Sequence, residues 1–105
     1  MTTVVLISDN SVLGGHEWSS GGDSSETGGV RSVQVGLLGT GSISATVVIS
    51  GANDCRFPIK VAEFTLSGTN LVTDAVDLMF PFEFYRAEIT AIAGTNARVT
   101  AVMKV

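Results

Sequence analysis

Cys55 and His16 are the only cysteine and the only histidine in this 105-residue chain. A nucleophilic site needs a thiol or hydroxyl beside a base, and no motif links these two. His16 also stands in a stretch rich in Gly and Ser. A zinc site wants clustered His and Cys, and one of each makes no cluster. The acids Asp74 and Asp77, or Glu83 and Glu88, come nearest to a glycosidase pair, but acids alternating along extended segments read as solvated faces. Asp9, Glu17, Asp23 and Glu26 offer oxygens for calcium, yet their spacing fits no calcium loop. No Gly-rich phosphate loop opens onto a helix. We therefore expect no catalytic residue, no metal and no cofactor, and a protein that is not an enzyme. Cys55 reads as a thiol without a role, and it cannot form a disulfide within one chain. The absence of a disulfide framework points to folding in a reducing compartment.

What remains are side chains suited to adhesion. Phe80, Phe82, Phe84 and Tyr85 are the one concentration of aromatic residues, with Pro81 between the first two. They read as core closure where a strand crosses between layers, as a subunit contact, or as a sugar-stacking platform. Trp18 interrupts a polar segment, and Trp is enriched at interfaces. It serves equally as an anchor to the body. Val4 and Leu6 belong to the apolar run Thr2 to Ile7, which forms a strand or an arm on a neighbouring subunit. The candidate interface residues are thus Val4, Leu6, Trp18, Phe80, Phe82, Phe84 and Tyr85.

The elements that position them are strands. Val33, Val35 and Leu37 alternate with polar or small residues, as do Ile43, Ala45, Val47 and Ile49, then Tyr85, Ala87, Ile89 and Ala91, then Ala97, Val99, Ala101, Met103 and Val105. A period of two puts one face of a strand inward. Three Gly-Thr signals, Gly39-Thr40-Gly41, Ser67-Gly68-Thr69-Asn70 and Ala93-Gly94-Thr95-Asn96, predict hairpin turns. The segment Gly51 to Arg56 predicts another turn, and Phe80-Pro81-Phe82 predicts a strand end. Ile59 and Val61 differ in parity from Phe64 and Leu66, which predicts a β-bulge near Glu63 or a strand that changes sheets. Asp74 shares its parity with Val72 and Val76 and so breaks their apolar face, whereas Asp77 should be wet. Residues 19–29, made of Gly, Ser, Asp, Glu and Thr, read as a mobile loop. The fold class is all-β: an antiparallel, jelly-roll-like β-sandwich of about six to eight strands with a long Gly/Ser-rich N-terminal loop. It is one domain, with an arm and loop over 1–29 and a body over 30–105.

Composition bounds the partners. The chain is 45% hydrophobic and only 15% charged, against about 25% charged in typical domains. A surface so poor in charge is either covered with Ser, Thr and Gly or buried in a homo-oligomer, a dimer or a trimer. The net charge of −4 argues against nucleic acid as a partner. No basic start precedes a long apolar stretch, so neither a signal peptide nor a membrane span is expected.

The strand text resembles a known group. Gly39-Thr40-Gly41-Ser42-Ile43-Ser44-Ala45-Thr46-Val47, Gly51-Ala52-Asn53-Asp54, Phe64-Thr65-Leu66-Ser67-Gly68-Thr69 and the run from Phe84 to Ala97 are similar to small structural proteins of tailed bacteriophages and prophages. The likeness covers about Val30 to Val105 and is one of cadence. Cys55 departs from it, standing where such turns commonly carry glycine. The resemblance implies a virion location and a capsid decoration (cement) role, with the major capsid protein or another virion protein as partner. A head-fibre or tail module that binds a receptor or carbohydrate is the alternative it leaves open.

Overall fold

The computed structural model of the chain describes residues 3–15, 18–20, 31–78 and 82–104. Alternating apolar and polar residues become extended backbone throughout, and no helix occurs among the described residues. The strands are β1 (Thr3–Asn10), β2 (Gly14–Gly15), β3 (Ser19–Ser20), β4 (Arg31–Ala52), β5 (Ile59–Leu78) and β6 (Phe84–Lys104). They form one antiparallel sheet in the order β1-β6-β4-β5, with β2 and β3 pairing onto β6. β1, β2 and β3 thus add to the same sheet as the body. Asp74 to Leu78 continue β5 to its end. His16, Glu17, Asp23, Glu26, most of the 19–29 loop, Phe80, Pro81 and Val105 lie outside the described residues.

The three Gly-Thr segments are not hairpin turns. Each lies inside one long strand, of 22, 20 and 21 residues respectively. At about 3.3 Å per residue such strands would run about 65–70 Å if straight, yet the molecule's longest dimension is 41 Å. Each long strand must therefore bend, and the Gly-Thr segments are where it does so. The ladders lose register between Leu38 and Ser42, and again between Leu38, Thr40 and Ser44. Gly41, Asn70, Gly94 and Asn96 all have positive φ there. The three segments sit side by side across the sheet, and the Gly41 N–H donates to Asn70 Oδ1 at 2.7 Å, joining the bends of β4 and β5. Gly and Asn supply positive φ to a bulge as readily as to a hairpin, so the local signal was real and its consequence was a bend.

The bend produces the core. On one side of it Val33, Val35 and Leu37 are buried; on the other Ile43, Ala45, Val47 and Ile49 are buried. Both sets belong to a single cluster with Ile89, Val99, Ala101 and Met103. Burying each of these aliphatic side chains contributes about 1.5–3 kcal/mol. Ala91 departs from its expected face. The ladder slips between Val47 and Thr46, leaving Thr90 as the extra residue and turning Ile92 toward the core in place of Ala91. The bulge in β5 falls at Val61, two residues before Glu63, because Ser50 opposes Lys60 and Ile49 opposes Ala62. Asp77 is exposed as expected, and Asp74 is exposed although it sits opposite buried Val35. Bulges, a lysine and an inward-facing acid are how free sheet edges resist pairing, and β5 carries all of them.

Candidate functional site

The expected contact residues divide by burial. Leu6 and Tyr85 are buried in the subunit's own core, so they have no surface to offer a partner. Val4 and Phe82 pack partly against that core, and Phe84 is half-buried. Trp18 is half-buried too, with the Arg86 guanidinium 4.6 Å from its ring centroid. This cation–π contact ties Trp18 to the second half of the sheet. Phe80 lies outside the described residues.

Tyr85 organises the end of the sheet where β4 leaves for β5. Its hydroxyl accepts the Phe82 N–H at 3.0 Å and a bond from Arg31 Nη1 at 3.4 Å. Arg31 is itself buried, its guanidinium 5.3 Å from the Tyr85 ring centroid. The Phe82 ring meets Tyr85 edge-on at 6.3 Å. Gly51 makes room for that ring, since a Cβ there would fall 2.5 Å from Phe82 Cδ2. Tyr85, with Phe82 against it, is thus internal scaffolding.

The loop from Asn53 to Pro58 carries the exposed Cys55. Its tip is held by Asp54, whose backbone carbonyl accepts the Phe57 N–H at 2.9 Å. The Asp54 carboxylate pairs with the Arg56 guanidinium at 2.8 Å. Hydrogen bonds from the Arg56 side chain, then from its backbone N–H, hold the Asp54 carboxyl below the usual carboxylate range. A depressed value means that the pairing is complete above that range and is lost as pH falls through the depressed midpoint. An NMR titration is expected to show this low midpoint for Asp54, and Arg56→Ala should raise it toward the ordinary carboxylate value, the backbone N–H at 56 keeping part of the depression. Among the described residues, no group of three or more His, Cys, Asp or Glu is placed to hold a metal. The hollow beside Asp9 holds one acid, already paired with Arg98 Nε at 2.8 Å.

A different surface emerges on the outer side of the sheet's first half, opposite the core-facing residues. Cross-strand partners there share a face. Their rows run Lys104–Ser32–Asp77, Val102–Gln34–Ala75, Thr100–Gly36–Thr73 and Arg98–Leu38–Leu71. Val5 of β1 extends the second row beside Val102. Val5, Leu38 and Leu71 are 54%, 40% and 58% exposed. Charge is confined to the first and last rows, leaving an uncharged centre. Sequence reading missed this face because Leu38 and Leu71 adjoin supposed turns, where a lone apolar residue looks incidental. Their shared parity with Gln34 and with Thr73 was the available signal.

No protein-family model, no curated protein and no solved structure matches this chain.

Proposed function

We propose that this chain is a structural protein of a tailed-bacteriophage virion, acting as a capsid decoration or cement protein that binds across capsid subunits. The observation that carries the reading is the outer face of the first half-sheet: uncharged at its centre, charged at its rim, with Val5, Leu38 and Leu71 exposed. Interfaces are depleted of charge at their centre and polar at their rim. The strand cadence it shares with phage structural proteins supplies the virion context. The bent sheet closing on one core supports the sandwich half of the expected jelly-roll-like architecture. In this reading the partners are the major capsid protein or another virion protein, together with further copies of the chain. Apolar area removed from water, at about 25 cal/mol per Å², would favour the assembled shell over its separated parts.

Mass spectrometry and electron microscopy of the parent particles test the proposal. The protein should be present on mature heads, and heads lacking it should rupture at lower temperature. Its absence from mature virions defeats the reading. A second reading, a fibre or tail module that binds carbohydrate, draws on Phe57, which is 68% exposed beside Arg56. A glycan array without hits for the parent chain removes it, as does equal glycan binding by Phe57→Ala.

A further inference from the structure

Gly36 has no reason to be glycine within its own subunit. It lies in the interior of the 22-residue β4, where glycine costs about 0.5–1 kcal/mol relative to alanine. Its φ is not in the left-handed region, and a Cβ would meet nothing closer than Thr73 Cγ2 at 4.0 Å. The glycines at the bend differ: Gly39 and Gly94 would each place a Cβ under 3.0 Å from a neighbour. A strand glycine without an internal cause often marks the close approach of another backbone. Gly36 occupies the middle of the uncharged outer face, on the central of the three long strands.

The charges at the rim indicate whose backbone approaches. Lys104 on β6 and Asp77 on β5 flank Ser32 on β4, at opposite ends of one cross-strand row. A two-fold axis lying in the face and running along β4 exchanges the two ends of every row. It sets Lys104 of one copy over Asp77 of the other, twice. The same operation lays Val102 over Ala75 and brings the two Gly36 positions together at the axis. A self-complementary patch of this kind defines an isologous dimer. Sheets packed face to face keep their strand directions within about 30° of each other at about 10 Å, a gap that glycine at the axis allows to narrow and that a lysine side chain reaches across.

We propose that this outer face pairs with a second copy of the chain, forming a two-fold dimer with reciprocal Lys104–Asp77 ion pairs around a Gly36 contact. The proposal deepens the reading as an assembly protein and rests on it for its biological setting. The operation overlaps β6, β4 and β5, so three strands at ~4.8 Å and about eight residues at ~3.3 Å give roughly 400 Å² per copy. The resulting total of roughly 800 Å² is below the standard size of a specific interface and fits a weak, concentration-dependent dimer. The β5 edge is the poorer route to a dimer, since its bulge, Lys60 and Asp74 oppose strand addition.

Sedimentation equilibrium of the full chain is the test, and a dimer is expected. Lys104→Glu and Asp77→Lys should each weaken dimerisation at least tenfold, while the double exchange should restore it. Gly36→Val should weaken it as well, with the β-sheet circular dichroism unchanged. If that variant misfolds, the charge exchange still decides, because both positions lie at the rim. A parent chain that stays monomeric at millimolar concentration overturns the proposal. Single exchanges without effect, or a double exchange that fails to restore pairing, overturn it too. These outcomes are separable from those of the virion reading. A monomer found on mature heads defeats only the dimer, and a dimer absent from heads defeats only the virion role.

Discussion

Replacing Tyr85 with alanine is expected to lower stability by about 3–5 kcal/mol, the range for truncating a large buried aromatic residue. For a domain of this size that corresponds to a fall of about 15–20 °C in Tm. The side chain is fully buried, so its loss leaves a cavity and removes the edge-on contact with Phe82. It also removes the hydroxyl that accepts the Phe82 N–H and a bond from Arg31. Tyr85→Phe separates these effects. It keeps the ring and removes only the hydroxyl, so its cost should be about 1–3 kcal/mol, that of losing the hydrogen bonds this buried hydroxyl makes. Urea unfolding followed by circular dichroism measures both. Equal losses for the two variants would show that the hydroxyl, rather than the packing, holds this end of the sheet. Because small domains are stable by only about 5–15 kcal/mol, Tyr85→Ala approaches the limit of folding.

Gly94→Ala is the second large effect. Gly94 has φ of +118°, and a Cβ there would lie 2.7 Å from Ile43 Cγ2 and 2.8 Å from the Ser42 carbonyl oxygen. The backbone conformation costs a non-glycine residue about 1–3 kcal/mol, and the overlap with a packed neighbour about as much again. A total of about 2–6 kcal/mol is expected by the same urea assay. Gly41 is the internal control. It has φ of +73° at the same bend, but a Cβ there would meet nothing within 4 Å. Gly41→Ala should therefore cost only about 1–2 kcal/mol, the left-handed penalty alone. If the two variants proved equal, close packing between β4 and β6 could not be what sets the bend.

These two experiments probe different kinds of legibility. The inward faces of β4 and β6 were readable because burial follows a strict period of two over Val33, Val35, Leu37 and over Val99, Ala101, Met103. The slip at Thr90 was not readable, since nothing in Ala91-Ile92 says which neighbour opposes which. Tyr85 belonged to the aromatic group expected at a contact or a core closure. Its full burial depends on Arg31 and Phe82 arriving from other segments, and no periodicity in its own neighbourhood carries that information.

The exposed face followed the same division. Low charge content announced a surface in want of cover, but its place on the molecule required the register that sets Leu38 beside Leu71 and Lys104 in line with Asp77. Gly36 became informative only when the space around it was known.

The amino-acid order alone determined that the chain is all-β, which side chains of β4 point inward with most of those of β6, and that the three Gly-Thr segments take positive φ. Those are properties of neighbouring residues, set by steric limits on φ and ψ and by the alternation of an extended chain. Tertiary structure alone decided that the Gly-Thr segments bend three long strands instead of ending six short ones. A bulge and a hairpin make the same local demand on the backbone and differ only in whether the next segment continues along the old partner or folds back on itself. That choice is made by long-range pairing and by closure of the core on both sides of the bend.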